Sequence, residues 1–104
     1  MATVIVADES DGRRNLLAGS IEREGYTVTR TATLRQCEGT ALATMPDVVI
    51  IDGSWSAGDA VDTASRLTTD PEFNLKCRAI ILAADVGPDY LMSAAQAGVS
   101  EVLE

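Results

Sequence analysis

Asp47-Val48-Val49-Ile50-Ile51-Asp52-Gly53-Ser54 decides how the rest of this chain is organised. Four consecutive β-branched residues run into an aspartate and then into glycine and serine. A stretch apolar at every position, with no alternation, fits a strand buried on both faces, as in a parallel sheet covered by helices. Open α/β sheets hold their ligands in the crevice beyond the carboxyl ends of their strands, and Asp52 stands at such an exit. A carboxylate there either caps the following turn or is a reactive group.

Upstream, Thr3-Val4-Ile5-Val6-Ala7 is a second near-continuous apolar run, ending on Asp8-Glu9, and predicts another buried strand. Ser10-Asp11-Gly12 offers capping residues for a helix through Leu16, Leu17 and Ile21 that Gly25 stops. Residues 26–31 read as a more exposed second strand. Leu34, Cys37, Ala41, Leu42 and Met45 mark one face of a second helix, ended by Pro46. Beyond Asp52, residues 53–58 form a loop, and a third helix runs through Ala60, Val61, Ala64 and Leu67. Asp70-Pro71 breaks it, and a polar loop leads to a fourth strand over residues 79–83. Pro88 opens a fourth helix that Gly98 stops, and residues 99–103 form a fifth strand.

Five strands alternating with four helices predict one α/β domain over residues 1–104, a three-layer α/β/α sandwich around a parallel sheet. Right-handed crossovers need helices on both faces. No helix follows the fifth strand to cover the flank beside the first helix, so that cover is missing from this chain or supplied by a neighbour.

Sixteen acidic against eight basic residues give a net charge of −8, which argues against nucleic acid and anionic membrane as direct partners. No window reaches the ~20 apolar residues of a bilayer span, and the N-terminus lacks the pattern of a secretory signal. Cys37 and Cys77 lack metal spacing and read as small buried hydrophobes of a reducing, cytoplasmic setting. The absence of histidine removes Ser-His and Cys-His nucleophile pairs and histidine-ligated zinc, and no general base can be named for an enzyme acting on a diffusible substrate.

With strand order 2-1-3-4-5, the exits of strands one and three are neighbours, and Asp8, Glu9 and Asp52 are expected to converge. Three carboxylates without a counter-charge raise one another's pKa values and cost stability. A hard divalent cation relieves this: Mg²⁺, or Mn²⁺ in its place, held by Asp8, Glu9, Asp52 and the backbone carbonyl of Ser54. A metal-bound aspartate at a strand end is poised to attack a phosphoryl group. The plainer alternative is that Asp8 and Asp52 cap turns and Glu9 faces solvent. The acidic opening Asp8-Glu9-Ser10-Asp11 repels a flavin phosphate, and neither a dinucleotide fingerprint nor a Walker loop is present.

Taken together, Val4-Ile5-Val6-Ala7-Asp8-Glu9, Glu24-Gly25-Tyr26-Thr27-Val28, Pro46-Asp47-Val48-Val49-Ile50-Ile51-Asp52 and Ala94-Ala95-Gln96-Ala97-Gly98-Val99 resemble, in order and spacing, the receiver domain of bacterial two-component response regulators. The resemblance implies a flavodoxin-like fold and a phosphorelay role. Asp52 would accept a phosphoryl group from a histidine kinase or phosphotransfer protein, with Glu9 on Mg²⁺ directly and Asp8 through water. The signal would pass through altered contacts, in a homodimer or with an attached output domain.

The sequence departs from that pattern at the switch. Ala83 stands where receivers carry Thr or Ser, and Val102 where they carry an aromatic. The usual lysine would fall one residue beyond Glu104. A phosphorylation-independent pseudo-receiver, acting as an interaction or dimerisation module, is therefore the alternative expectation. Arg13 and Arg14 on the first helix, and Trp55 in the loop after Asp52, are the candidate partner contacts.

Overall fold

A computed structural model describes residues 2–104. Its elements are β1 (Thr3–Ala7), α1 (Asp11–Arg23), β2 (Thr27–Thr31), α2 (Leu34–Thr44), β3 (Val48–Asp52), α3 (Ala60–Thr69), α4 (Pro71–Lys76), β4 (Arg78–Leu82), α5 (Pro88–Gln96) and β5 (Glu101–Leu103). The sheet is wholly parallel with strand order β2-β1-β3-β4-β5.

The expected double burial holds for β1, whereas β3 is fully buried on one face only and leaves Val48 and Ile50 half-buried on the other. Side chains alternate across the sheet, so Ile5, Ala7, Val49 and Ile51 enter one core with Leu34, Cys37, Ala64, Leu67 and Phe73. Val4 and Val6 enter a second, smaller core with Ala18, flanked by Leu17, Ile21, Val48 and Ile50. The sheet is thus covered unequally, by α2–α5 on one face and, among the described residues, by α1 alone on the other. Leu103 on β5 is left 43% exposed.

Local chemistry starts and stops these elements. Ser10 caps α1 by accepting from the Arg13 amide, and Thr33 caps α2 by accepting from the Gln36 amide. Asp59 accepts from the amides of Val61 and Asp62 at the start of α3. Gly98 ends the α5 segment at φ +83°, where a Cβ would lie 2.8 Å from Thr68 Cβ. Thr68 donates from Oγ1 to the Ala97 carbonyl at 2.6 Å, closing this turn against α3.

Three expectations are corrected. The polar loop after Asp70 is instead helix α4: Pro71 opens it, and Asp70 caps it by accepting from the amides of Glu72 and Phe73. Proline lacks only an N–H that the first helical turn leaves unused, so here it begins a helix. β4 covers residues 78–82, which puts Ala83 just past its end, and β5 is shortened to residues 101–103. Cys37 and Cys77 are free and buried, as expected, and desolvation pushes the Cys37 thiol up to about 12.

Candidate functional site

β1 and β3 lie side by side, with Ala7 opposite Ile51, so Asp8 and Asp52 leave the sheet together at its carboxyl end. Asp8 is buried, 7% exposed, and Asp52 is half-buried as the last residue of β3. Glu9 is exposed at the same end.

The three acids are not left as a bare cluster: Asp8 and Asp52 share one guanidinium, and Glu9 is hydrogen-bonded to Ser56. Arg13, one turn into α1, reaches back over the strand ends and forks onto Asp8, with Nε 3.1 Å from Oδ2 and Nη2 3.0 Å from Oδ1. The same Nη2 lies 3.9 Å from Asp52 Oδ2, so one guanidinium bridges the two acids. Asp8 Oδ1 also accepts from the Ser10 amide at 2.8 Å. Glu9 accepts from the Ser56 amide at 2.8 Å and the Ser56 hydroxyl at 2.7 Å. Asp52 Oδ2 accepts from the Ser54 amide at 3.0 Å.

This arrangement sets the electrostatics. Desolvation raises the Asp52 pKa; the Ser54 amide opposes it, Asp8 adds to the rise, and Arg13 again opposes it. Arg13 is held firmly protonated, first by its hydrogen bonds to Asp8.

A divalent cation is what this fold family implies here, and the donor atoms are the hard oxygens Mg²⁺ prefers. They are already engaged, however. Asp8 belongs to Arg13, Glu9 to Ser56, and a positive charge stands between Asp8 and Asp52. Among the described residues no three acidic, histidine or cysteine side chains are grouped so as to hold a metal. As packed, Asp8, Glu9, Asp52 and Ser54 do not fit Mg²⁺ or Mn²⁺, because the chain brings its own cation.

The remaining expected site residues fall as follows. Arg14, 13% exposed in its side chain, donates to the Asp8 carbonyl at 2.9 Å and pairs with Asp11. Both arginines are therefore committed within the chain. Trp55 is half-buried against the larger core and donates from Nε1 to the Asp52 carbonyl. Ala83 donates its amide to the Leu103 carbonyl at 2.8 Å. Val102, opposite Ile81, packs on the larger core.

A cavity of about 330 Å³ opens beside Asp52, bordered by Gly53, Ser54, Leu82, Ala83, Ala84, Val86 and Tyr90. Gly53 is required there. A Cβ on it would lie 2.8 Å from Ala83 Cβ, 3.1 Å from the Leu82 carbonyl oxygen and 3.3 Å from Tyr90 Oη. Tyr90 was not among the expected site residues. Its hydroxyl is buried with no hydrogen-bond partner, which typically costs about 1–3 kcal/mol. The one sequence signal is its place in the first turn of α5, from which a long side chain leans back over the preceding strand end. A larger hollow, about 720 Å³ between α2 and α3, lies away from the acids.

No protein-family model matches the sequence, and no curated protein does. Solved structures do match. The chemotaxis protein CheY4 of Vibrio cholerae superposes with a TM-score of 0.91 at 19% identity, over 99% of this chain and 85% of that one. The N-terminal domain of a response regulator receiver protein from Methanoculleus marisnigri gives 0.86 at 23% identity, over 99% and 83%. A candidate pilus assembly protein from Burkholderia thailandensis gives 0.79 at 27% identity, over 99% and 84%. The strand order, the helix placement and these superpositions agree: the chain has the flavodoxin-like fold of the receiver domains of two-component response regulators.

Proposed function

We propose that this chain is a signal receiver that takes a phosphoryl group onto Asp52 from a histidine kinase or phosphotransfer protein and transmits the change through protein contacts. The observation that carries the proposal is the position of Asp52: last residue of the innermost strand, bordering a cavity, with a guanidinium nitrogen 3.9 Å from its carboxylate. In the step, an Asp52 carboxylate oxygen attacks the phosphorus of a phosphohistidine whose other ring nitrogen carries a proton. The P–O bond forms as the P–N bond breaks, and the bonding pair leaves on the imidazole nitrogen. The product is an acyl phosphate on Asp52 and a neutral donor ring. Arg13, still bonded to Asp8, adds positive charge beside the phosphoryl oxygens as negative charge accumulates there.

Incubation with acetyl phosphate, followed by intact-protein mass spectrometry, tests this. The mass of one phosphoryl group is expected with magnesium and also with a chelator, and is expected to vanish in Asp52→Ala. No gain under either condition overturns the proposal.

A pH prediction follows from the raised Asp52 pKa. Because the folded state favours the protonated acid, this group's contribution to stability is fully present below the ordinary carboxylate value and is lost as pH rises through the folded one. Asp52→Asn is therefore expected to raise Tm at neutral pH, and the gain should shrink as pH falls toward the ordinary aspartate range. A lower Tm for the variant at pH 7 would contradict the desolvation argument.

A second reading, a phosphorylation-independent interaction module, is favoured by the Arg13 fork on Asp8 and by the apolar residues Ala83 and Val102 at the switch positions. It agrees with a neighbour of this fold described as a pilus assembly protein. Under it, Asp52→Asn leaves partner binding and oligomeric state unchanged.

A further inference from the structure

We propose that the Tyr90 hydroxyl is the hydrogen-bond donor for an oxyanion held beside Asp52, filling the role that Ala83 leaves open. The inference deepens the receiver reading and rests on it for the identity of the oxyanion, a phosphoryl group carried by Asp52.

Three of the main-chain donors that border the cavity beside Asp52 are already spent. The Gly53 amide donates to the Leu82 carbonyl at 2.8 Å, the Ser54 amide to Asp52 at 3.0 Å, and the Ala83 amide to the Leu103 carbonyl at 2.8 Å. At the end of β4, Ala83 contributes only a methyl group. Tyr90 lines the same cavity. Its Oη sits 3.3 Å from where a Gly53 Cβ would be, is closed off from solvent and donates to nothing.

If α5 needed only an apolar ring against the core, phenylalanine would supply it and leave no oxygen stranded. The hydroxyl therefore points to a partner that arrives with the oxyanion. Burial first, then Asp59 and Asp52, push the phenol pKa up, so Tyr90 keeps its proton as a donor at neutral pH. The absence of a side chain at Gly53 leaves the space beside Oη free of a Cβ. A donor on α5 that turns toward a group on β3 also couples the helix to the state of Asp52.

The chain has two tyrosines, so a Tyr26→Phe background leaves Tyr90 as the sole reporter. The full chain, carrying a ¹³C label at the tyrosine Cζ, is treated with acetyl phosphate while mass spectrometry gives the phosphorylated fraction. The Tyr90 Cζ resonance is expected to move in proportion to that fraction. A full mass gain with an unmoved resonance overturns this inference and leaves the receiver reading standing. No mass gain sinks the receiver reading, and titration of inorganic phosphate into Asp52→Asn then decides the present one. A saturating Tyr90 shift, with the phosphate affinity read from Trp55 fluorescence about tenfold weaker when Tyr90→Phe is added, supports the donor role. No shift, or equal affinity in the two variants, overturns it.

Discussion

Replacing Arg13 with methionine is expected to give the acidic end an affinity for magnesium on the order of tenfold or more above that of the parent chain. In the parent, an incoming cation meets a guanidinium 3.0 Å from Asp8 and 3.9 Å from Asp52 and must expel it. In the variant, Asp8 keeps its burial but loses its counter-charge, and the like-charge repulsion that Arg13 relieves returns. A divalent ion is then the simplest relief. Trp55 reports the event, being the only tryptophan and bonded to the Asp52 carbonyl. Its fluorescence should respond to magnesium at lower concentration in the variant, and magnesium should raise the variant's Tm more, since an ion bound only by the folded state stabilises it. Equal or tighter magnesium binding by the parent chain would show that Arg13 does not hold the cation's place. Arg13 is 60% accessible, so solvent screening keeps the pair's own contribution to stability small.

Phe73→Ala is the second large effect. Phe73 is 0% exposed and is the largest fully buried side chain, reached from a helix of 6 residues. Truncating such a ring removes its transfer free energy and leaves a cavity, typically costing about 3–5 kcal/mol. Against a total stability of about 5–15 kcal/mol for a domain of this kind, that is a large share. Leu75, two residues on and 79% exposed, provides the internal control. Leu75→Ala should change stability by no more than about 0.5 kcal/mol. Urea unfolding of both variants checks the pair. A similar loss at the two positions would mean that α4 does not dock as described.

The missed helix shows what the sequence could and could not reveal. β1 and β3 were legible because each is apolar along nearly its whole length, and their neighbouring exits followed from the strand order. α4 was not, because 6 residues are too few to display a helical period and Asp70-Pro71 reads equally as a breaker and as a cap with its first helical residue. The site was legible in its acids and illegible in their directions. Nothing near Glu9 in sequence says that it will bond Ser56, 47 positions later. Nothing in helical spacing says which carboxylate a long, rotatable arginine will choose, so Arg13 read as a docking residue. Tyr90 was hidden for a related reason, since an aromatic on a helix face reads as core until its hydroxyl is seen to lack a partner.

The short strand β5 carries one last implication. It pairs with β4 alone, which leaves its outer rim of backbone donors and acceptors open to another strand. Glu101 and Glu104 stand at its two ends, both solvent-exposed, on a chain already at −8. Two molecules zipping together along that rim would crowd four carboxylates around strands ~4.8 Å apart. Mutual repulsion would oppose such pairing.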